Sequence, residues 1–286
     1  VSKVLVSVLI PSYNRARFLK RAIDSVLLQT YASWELLIID DASSDSTKEL
    51  CEDLCKSDGR IKYFKPWDSK KGVSASRNYG IGVSKGGLIA FLDSDDEWLP
   101  QKLQKQLELY EREQYVLCHS DEIWIRNGLR VNQMKKHKKS GGDVYLNCLP
   151  LCCISPSASI VRASIFDDLG LFDESYPVCE DYDLWLRLCA RYEVAFIEEP
   201  LIIKYGGHSD QLSRSTWGND VYRVKSLVKI LQDHAKGLAS SLDDVKLKAT
   251  RDVLLKKCEI LEKGFLKHND PVRAEYYKGL QQKYLL

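Results

Sequence analysis

Asp93, Asp95 and Asp96 crowd three carboxylates into four residues, directly after the apolar run Leu88-Ile89-Ala90-Phe91-Leu92. Like charges so close repel one another and lose hydration unless a cation or a set of donors compensates. Hard oxygen ligands of this kind suit Mg²⁺ or Mn²⁺. A solvated acidic turn is the alternative for a lone Asp-x-Asp; the preceding strand and further polar segments weigh against it. A second acidic pair, Glu180-Asp181, opens a helical pattern, where carboxylates gain from the helix dipole and a structural cap is one reading. The other is proton transfer: a positioned carboxylate that takes the proton of an attacking hydroxyl supplies about 10²–10⁴-fold in rate. Arg77 stands in a helix rich in small residues, where its guanidinium could grip a phosphate or a carboxylate, or neutralise Asp93. Asp41 ends an apolar strand and can accept from the imide N–H of uracil or from another base donor, while Tyr13 offers an aromatic face. Helix capping is the alternative for Asp41 and the better reading for Asp45.

These residues need a scaffold that brings distant segments together. Val4 to Ile10, Trp34 to Ile39, Ile61 to Phe64 and Leu88 to Leu92 read as strands, the first almost continuously apolar as suits burial on both faces. Between them, Phe18, Leu19, Ala22, Ile23, Val26 and Leu27 recur at helical spacing, Leu50, Cys51, Leu54 and Cys55 form a second helix, and Gly72 to Ser84 a third. Pro100 suits the first turn of a fourth, which buries Leu103, Leu107 and Tyr110. The alternation predicts an α/β, doubly wound, mostly parallel sheet, with a ligand crevice beyond the carboxyl ends of the strands. Asn14, Asp41 and Asp93 then share one rim. Further strands are expected at Tyr115 to Ile125, Gly128 to Val131, Ser157 to Val161, Val194 to Ile197 and Leu201 to Tyr205, and a helix carries Tyr182, Trp185, Leu186, Leu188 and Cys189. Beyond Trp217 the pattern is helical.

Composition narrows the class. The 286 residues are 44% hydrophobic and 29% charged, with a net charge of +2 that points to neither nucleic acid nor bulk membrane attraction. Nine cysteines without paired CxxC spacing suit a reducing cytoplasm, with Cys51, Cys55, Cys152 and Cys153 as packing residues. No apolar stretch approaches the ~20 residues that span a bilayer, and the supplied start, which lacks Met, has no secretion-signal pattern. The lysine run from Lys135 to Lys139 reads as a solvated loop, or as a surface that meets an anionic lipid-linked acceptor at the membrane.

Five segments carry a family resemblance: Ile10-Pro11-Ser12-Tyr13-Asn14-Arg15, Ile39-Asp40-Asp41-Ala42-Ser43-Ser44-Asp45, Gly72-Val73-Ser74-Ala75-Ser76-Arg77-Asn78, Asp93-Ser94-Asp95-Asp96 and Cys179-Glu180-Asp181-Tyr182-Asp183-Leu184-Trp185. In order, spacing and strand context they resemble the family-two inverting glycosyltransferases of GT-A fold, across roughly residues 4 to 210. The resemblance implies a GT-A domain over 1–215, with a nucleotide-binding half at 1–97 and an acceptor-binding half at 98–215, followed by a helical extension at 216–286. It implies a nucleotide-sugar site built from Pro11, Ser12, Tyr13, Arg15, Asp41, Arg77, Asp93 and Ser94. Asp41 would read the base, and UDP leads over GDP or dTDP. Mn²⁺ or Mg²⁺ would sit on Asp95, with Asp96 and His208 as further candidate ligands, and Asp93 would contact ribose or sugar. Asp181 would be the base, Glu180 its support or an acceptor ligand, and Asp183 solvated or a local cap. The acceptor would be a glycan or a lipid-linked saccharide, with peripheral membrane contact and a homodimer through the C-terminal helices among the expectations. A sugar-phosphate nucleotidyltransferase would carry a glycine-rich phosphate loop where Pro11-Ser12-Tyr13-Asn14-Arg15 stands, and an inactive scaffold would not need both acidic motifs.

Overall fold

The computed structural model describes residues 4–134, 137–207, 218–237 and 242–285. The apolar runs become strands covered on both faces. β1 (Val6–Ser12) and β2 (Trp34–Asp40) are buried along their whole length, as is β4 (Leu88–Phe91). With β3 (Ile61–Phe64) they form the parallel order β3-β2-β1-β4. The two-residue period of the strands divides their side chains between two cores. Val6, Val8, Ile10, Leu36, Ile38 and Ala90 meet Leu19, Ala22, Ile23 and Val26 of α1 (Ala16–Leu27) and Cys51 of α2 (Thr47–Ser57). Leu9, Leu37, Ile39, Ile89 and Phe91 point the other way, toward Tyr79, Ile81 and Val83 of α3 (Val73–Val83). The double winding expected from the sequence is therefore present. The small residues of α3 have a packing reason: a Cβ on Gly80 would come within 3.0 Å of Ile39 Cδ1 and 3.1 Å of Leu9 Cδ1.

The sheet continues from β4 through β8 (Ile160–Arg162), β6 (Leu117–Arg126), β9 (Ala195–Gly206) and β5 (Glu97–Trp98). β8 is antiparallel to both neighbours, β9 runs parallel to β6, and β5 pairs antiparallel with β9. β7 (Leu129–Val131) forms a hairpin with β6. Helix α4 (Lys102–Arg112), short helices α5 (Tyr145–Cys148) and α6 (Ile165–Leu169), and α7 (Glu180–Cys189) complete this half. The two strands expected around Val194 and Leu201 are one. Pro200 sits at a register irregularity opposite Asp121, where a missing N–H is tolerated without ending the strand.

The C-terminal helices are α8 (Asn219–Ala235), α9 (Asp244–Lys267) and α10 (Pro271–Tyr284). Asp243 caps α9 by accepting from Lys246 N, and Asp270 caps α10 by accepting from Arg273 N, with Pro271 in the first turn. Val224, Leu227, Leu254, Phe265 and Tyr277 share one core with Tyr145, Trp185 and Leu186. The extension thus adds to the body beside α7 and spends part of its apolar surface there. No helix among the described residues is long and apolar enough to cross a membrane.

Candidate active site

Parallel strands deliver the first site residues to a common edge. The β1–α1 and β2–α2 loops are tied to each other: Asn14 N donates to Ser43 Oγ (2.9 Å), and Ser44 N donates to Asn14 Oδ1 (2.8 Å). Asn14 holds a φ of 52°, a left-handed conformation that asparagine tolerates. Asp45 accepts from Ala16 N (3.0 Å) and Thr47 N (3.1 Å) at the starts of α1 and α2, so its capping role is as expected. Pro11 and Ser12 lie buried at the end of β1, beside Ile39 and Asp40 of β2. Arg15 is half-buried, with its guanidinium 5.9 Å from the Phe18 ring centre.

Asp41 is buried, and both its oxygens meet backbone donors: Lys71 N reaches Oδ1 (2.6 Å) and Gly72 N reaches Oδ2 (2.8 Å). The carboxylate therefore holds the loop that opens α3. Gly72 has φ 102°, which a side chain rarely adopts, so glycine lets this turn present its N–H. Each carboxylate oxygen retains acceptor capacity for a further donor. Tyr13 is 38% exposed and carries Lys70 Nζ 4.1 Å from its ring centre.

Arg77 is the junction of the site. Only 3% exposed, it donates through Nη1 to Glu180 Oε1 (2.6 Å) and through Nη2 to Asp93 Oδ1 (2.8 Å). Burial works against its charge, but Asp93, Glu180 and Asp181 outweigh burial and hold its pKa above the ordinary arginine value. The sequence left phosphate binding and neutralisation of Asp93 open; the guanidinium spans two carboxylates, one from each acidic motif. Glu180 is itself buried, which pushes its carboxyl up to about 7, with Asp181 acting in the same direction and Arg77 opposing.

The loop after β4 is pinned from several sides. Asp93 N donates to Ser157 Oγ (3.1 Å), and Arg21 Nη2 donates to the Asp95 carbonyl (2.5 Å). Asp96 is buried: Ser157 Oγ donates to its Oδ2 (2.6 Å) and Tyr205 N to its Oδ1 (3.3 Å). The oxygens that the sequence offered to a metal at Asp96 are thus engaged inside the protein. Ser94 is buried, whereas Asp93 and Asp95 are partly exposed. At the other motif, Asp181 is partly exposed at the start of α7, behind Cys179 with φ 64°. Tyr182 N donates to Asp181 Oδ1 (2.7 Å), and the Cys152 thiol approaches Asp181 Oδ2 (3.5 Å). Cys152 is thus more than the packing residue expected. His208 lies outside the described residues.

Two expectations need correction. Asp183 is neither solvated nor a cap; two residues beyond Asp181 it faces away from the crevice, buried and paired with Arg187 (3.0 Å) and Lys229 (3.3 Å). Lys139 is not solvated, because its ammonium pairs with buried Glu122 (3.4 Å) and donates to Cys153 O (3.0 Å). Sequence reasoning also missed Lys204. Its Nζ lies 3.4 Å from Ser155 Oγ, and Glu122, Asp96, Asp93 and Asp181 overcome burial to hold its pKa above the ordinary lysine range. A lysine two residues after Ile202 in an apolar strand, just before the glycine pair, was the available signal.

No group of three His, Cys, Asp or Glu among the described residues is arranged to hold a metal ion by itself. Mg²⁺ and similar ions are commonly held by one or two carboxylates plus substrate phosphates, and partly exposed Asp95 beside Asp93 fits that type of site rather than an all-protein cage. Ser12 Oγ, Ser74 Oγ and Arg77 Nε are buried without a protein partner, a state that a bound polar ligand would relieve.

Comparison with known proteins agrees with this fold. A structure of Staphylococcus aureus TarS (residues 1–349) in complex with UDP-GlcNAc superposes with a TM-score of 0.69 over 91% of this chain and 72% of that one, at 17% identity, which establishes the GT-A fold. An uncharacterized glycosyltransferase of Rickettsia felis is 34% identical over 202 residues, covering 68% of this chain and 32% of that protein. The chain thus spans about a third of the length of such Rickettsia relatives. The Escherichia coli UDP-Glc:alpha-D-GlcNAc-diphosphoundecaprenol beta-1,3-glucosyltransferase WfgD is 34% identical over 184 residues, covering 64% of this chain and 69% of that protein. The family model for glycosyl transferase family 2 matches residues 7–170, and with the Rickettsia felis relative it establishes that this chain belongs to glycosyltransferase family 2.

Proposed function

We propose that the chain transfers a sugar from a nucleotide-sugar, with UDP as the nucleotide, to a hydroxyl of a glycan or lipid-linked glycan, with inversion at the anomeric carbon. The observation that carries this reading is the double contact of Arg77, which ties the acid loop after β4 to the first turn of α7. Donor-side and acceptor-side carboxylates then face one crevice. WfgD, by its name, uses UDP-glucose and a diphosphoundecaprenol-linked acceptor, and the TarS complex contains UDP-GlcNAc.

In this reading Asp41 and Tyr13 receive the base, Pro11, Ser12, Arg15 and Ser94 line the nucleotide path, and Asp93 contacts ribose or sugar. Asp95 would hold Mg²⁺ or Mn²⁺, with His208 as a further ligand; the ion, when bound, offsets charge on the departing diphosphate. The acceptor oxygen bonds to the anomeric carbon as the bond from that carbon to the phosphate oxygen breaks. The electron pair leaves with the diphosphate, and the acceptor proton passes to the Asp181 carboxylate. Glu180 stays on Arg77 and fixes the helix turn that presents Asp181. Lys204 adds positive charge between the two acidic motifs. Residues 1–215 would house this chemistry, with 216–286 as its helical support.

A screen of nucleotide-sugars by metal-dependent thermal shift, followed by NMR of the product, tests the reading. The expected result is stabilisation by a UDP-sugar and a product of opposite anomeric configuration. Retained configuration contradicts the direct displacement, and a response only to another nucleotide contradicts the base assignment.

A further inference from the structure

Residues 123–142 contain six basic side chains and no acidic one, although the whole chain has a net charge of only +2. The fold turns the described residues of this segment into a surface. β6 and β7 are joined at Asn127 and Gly128, both with positive φ, the Asn-Gly turn that suits twisted strands. Arg126 pairs with Leu129 and Ile125 with Arg130, so Arg126 and Leu129 share one face of the hairpin and Arg130 lies on the other. All three are exposed, Leu129 by 72%.

The chain after β7 returns along β6. Gln133 Nε2 donates to Asp121 Oδ1 (3.1 Å) and to Glu122 O (2.9 Å), and the His137 ring centre lies 5.1 Å from that of Trp124. Lys139 pairs with Glu122. These contacts hold Gln133, His137 and Lys139 beside β6 and engage Asp121 and Glu122, while Met134 and Lys138 are exposed. The hairpin turn lies against the end of β9, whose Tyr205 N donates to Asp96: a Cβ on Gly207, directly after β9, would come within 2.5 Å of Asn127 Oδ1. Basic residues can simply guard an edge strand against pairing. That role does not call for Leu129 and Met134 to stand in solvent among the charges, a combination that suits a lipid interface.

We propose that the β6–β7 hairpin and its return segment dock the chain on an anionic phospholipid surface. Arg126, Arg130 and Lys138 meet lipid phosphates, while Leu129 and Met134 enter the headgroup region. The purpose of this surface, to hold the crevice near a lipid-linked acceptor, rests on the function proposed above; the binding itself does not.

Co-sedimentation of the chain with phosphatidylcholine vesicles, with and without phosphatidylglycerol, separates the two. Binding is expected only with the anionic lipid at about 0.15 M ionic strength, and it falls as salt is raised. Each basic residue removed from an anionic surface weakens binding roughly fivefold, so Arg126→Glu with Arg130→Glu should weaken it by at least about tenfold. Leu129→Ser should weaken it less, and both variants should retain the wild-type circular dichroism spectrum. Undiminished binding by the charge-reversed variant, equal binding to neutral vesicles, or binding to duplex DNA but not to vesicles would overturn the proposal. Vesicle binding without sugar transfer would leave the surface standing and sink only the function.

Discussion

Asp95-Asp96 and Glu180-Asp181 are adjacent acid pairs at the same crevice, and they differ in which member is buried and what holds it. After β4 it is the second acid, Asp96, that is buried, with neutral donors from Ser157 and the Tyr205 backbone. At α7 it is the first, Glu180, on the guanidinium of Arg77. The partner in each pair, Asp95 or Asp181, keeps access to solvent. Neighbours in sequence therefore do different work. One carboxylate is anchored inside the protein, and the proposed function makes the other, partly exposed, available to a ligand.

The widest consequence concerns Arg77, because it serves both motifs. Arg77→Ala should destabilise the fold by about 3–5 kcal/mol, since it breaks the buried pair with Glu180 and the pair with Asp93 together. Urea denaturation measures this, and Arg77→Lys, which lacks the two-pronged geometry, should recover only part of the loss. Ser157→Ala should cost about 1–3 kcal/mol by the same assay, because buried Asp96 loses a donor. An unchanged midpoint would mean that Asp96 is not the anchoring member of its pair.

Asp95→Asn should behave in the opposite way. Its melting temperature should stay near wild type, while Mn²⁺-supported nucleotide affinity falls by at least about tenfold, the loss that even supporting residues of metal sites produce. Calorimetric titration checks it. The smallest effect separates the two anchors by pH. Glu180 has a folded pKa of about 7 against an ordinary 4.5, so between those values the folded state holds a proton that the unfolded state has released. Wild-type stability should decline across that window as pH rises, and Glu180→Gln should flatten the decline.

The parallel half was legible because its signals are local. Apolar runs such as Val6 to Ile10, punctuated by Asn14, Asp41 and Asp93, specify strands and their ends without reference to the rest of the chain. The mixed half was less so. β5 is two residues long, and β9 runs on through Pro200 by carrying extra residues opposite Ser120 to Glu122 of β6. The roles of Asp96, Asp183, Lys139 and Lys204 depend on partners far away in sequence. Types and spacing could place a carboxylate near the crevice, but not tell whether a serine, a lysine or solvent would face it.

The division between anchoring and available acids meets its most direct test at Asp181. Turnover of Asp181→Asn should fall by about 10²–10⁴-fold with the preferred donor, at wild-type melting temperature and nucleotide affinity. Retained turnover, or a loss explained by a lowered melting temperature, would contradict the assignment of Asp181 as the available acid.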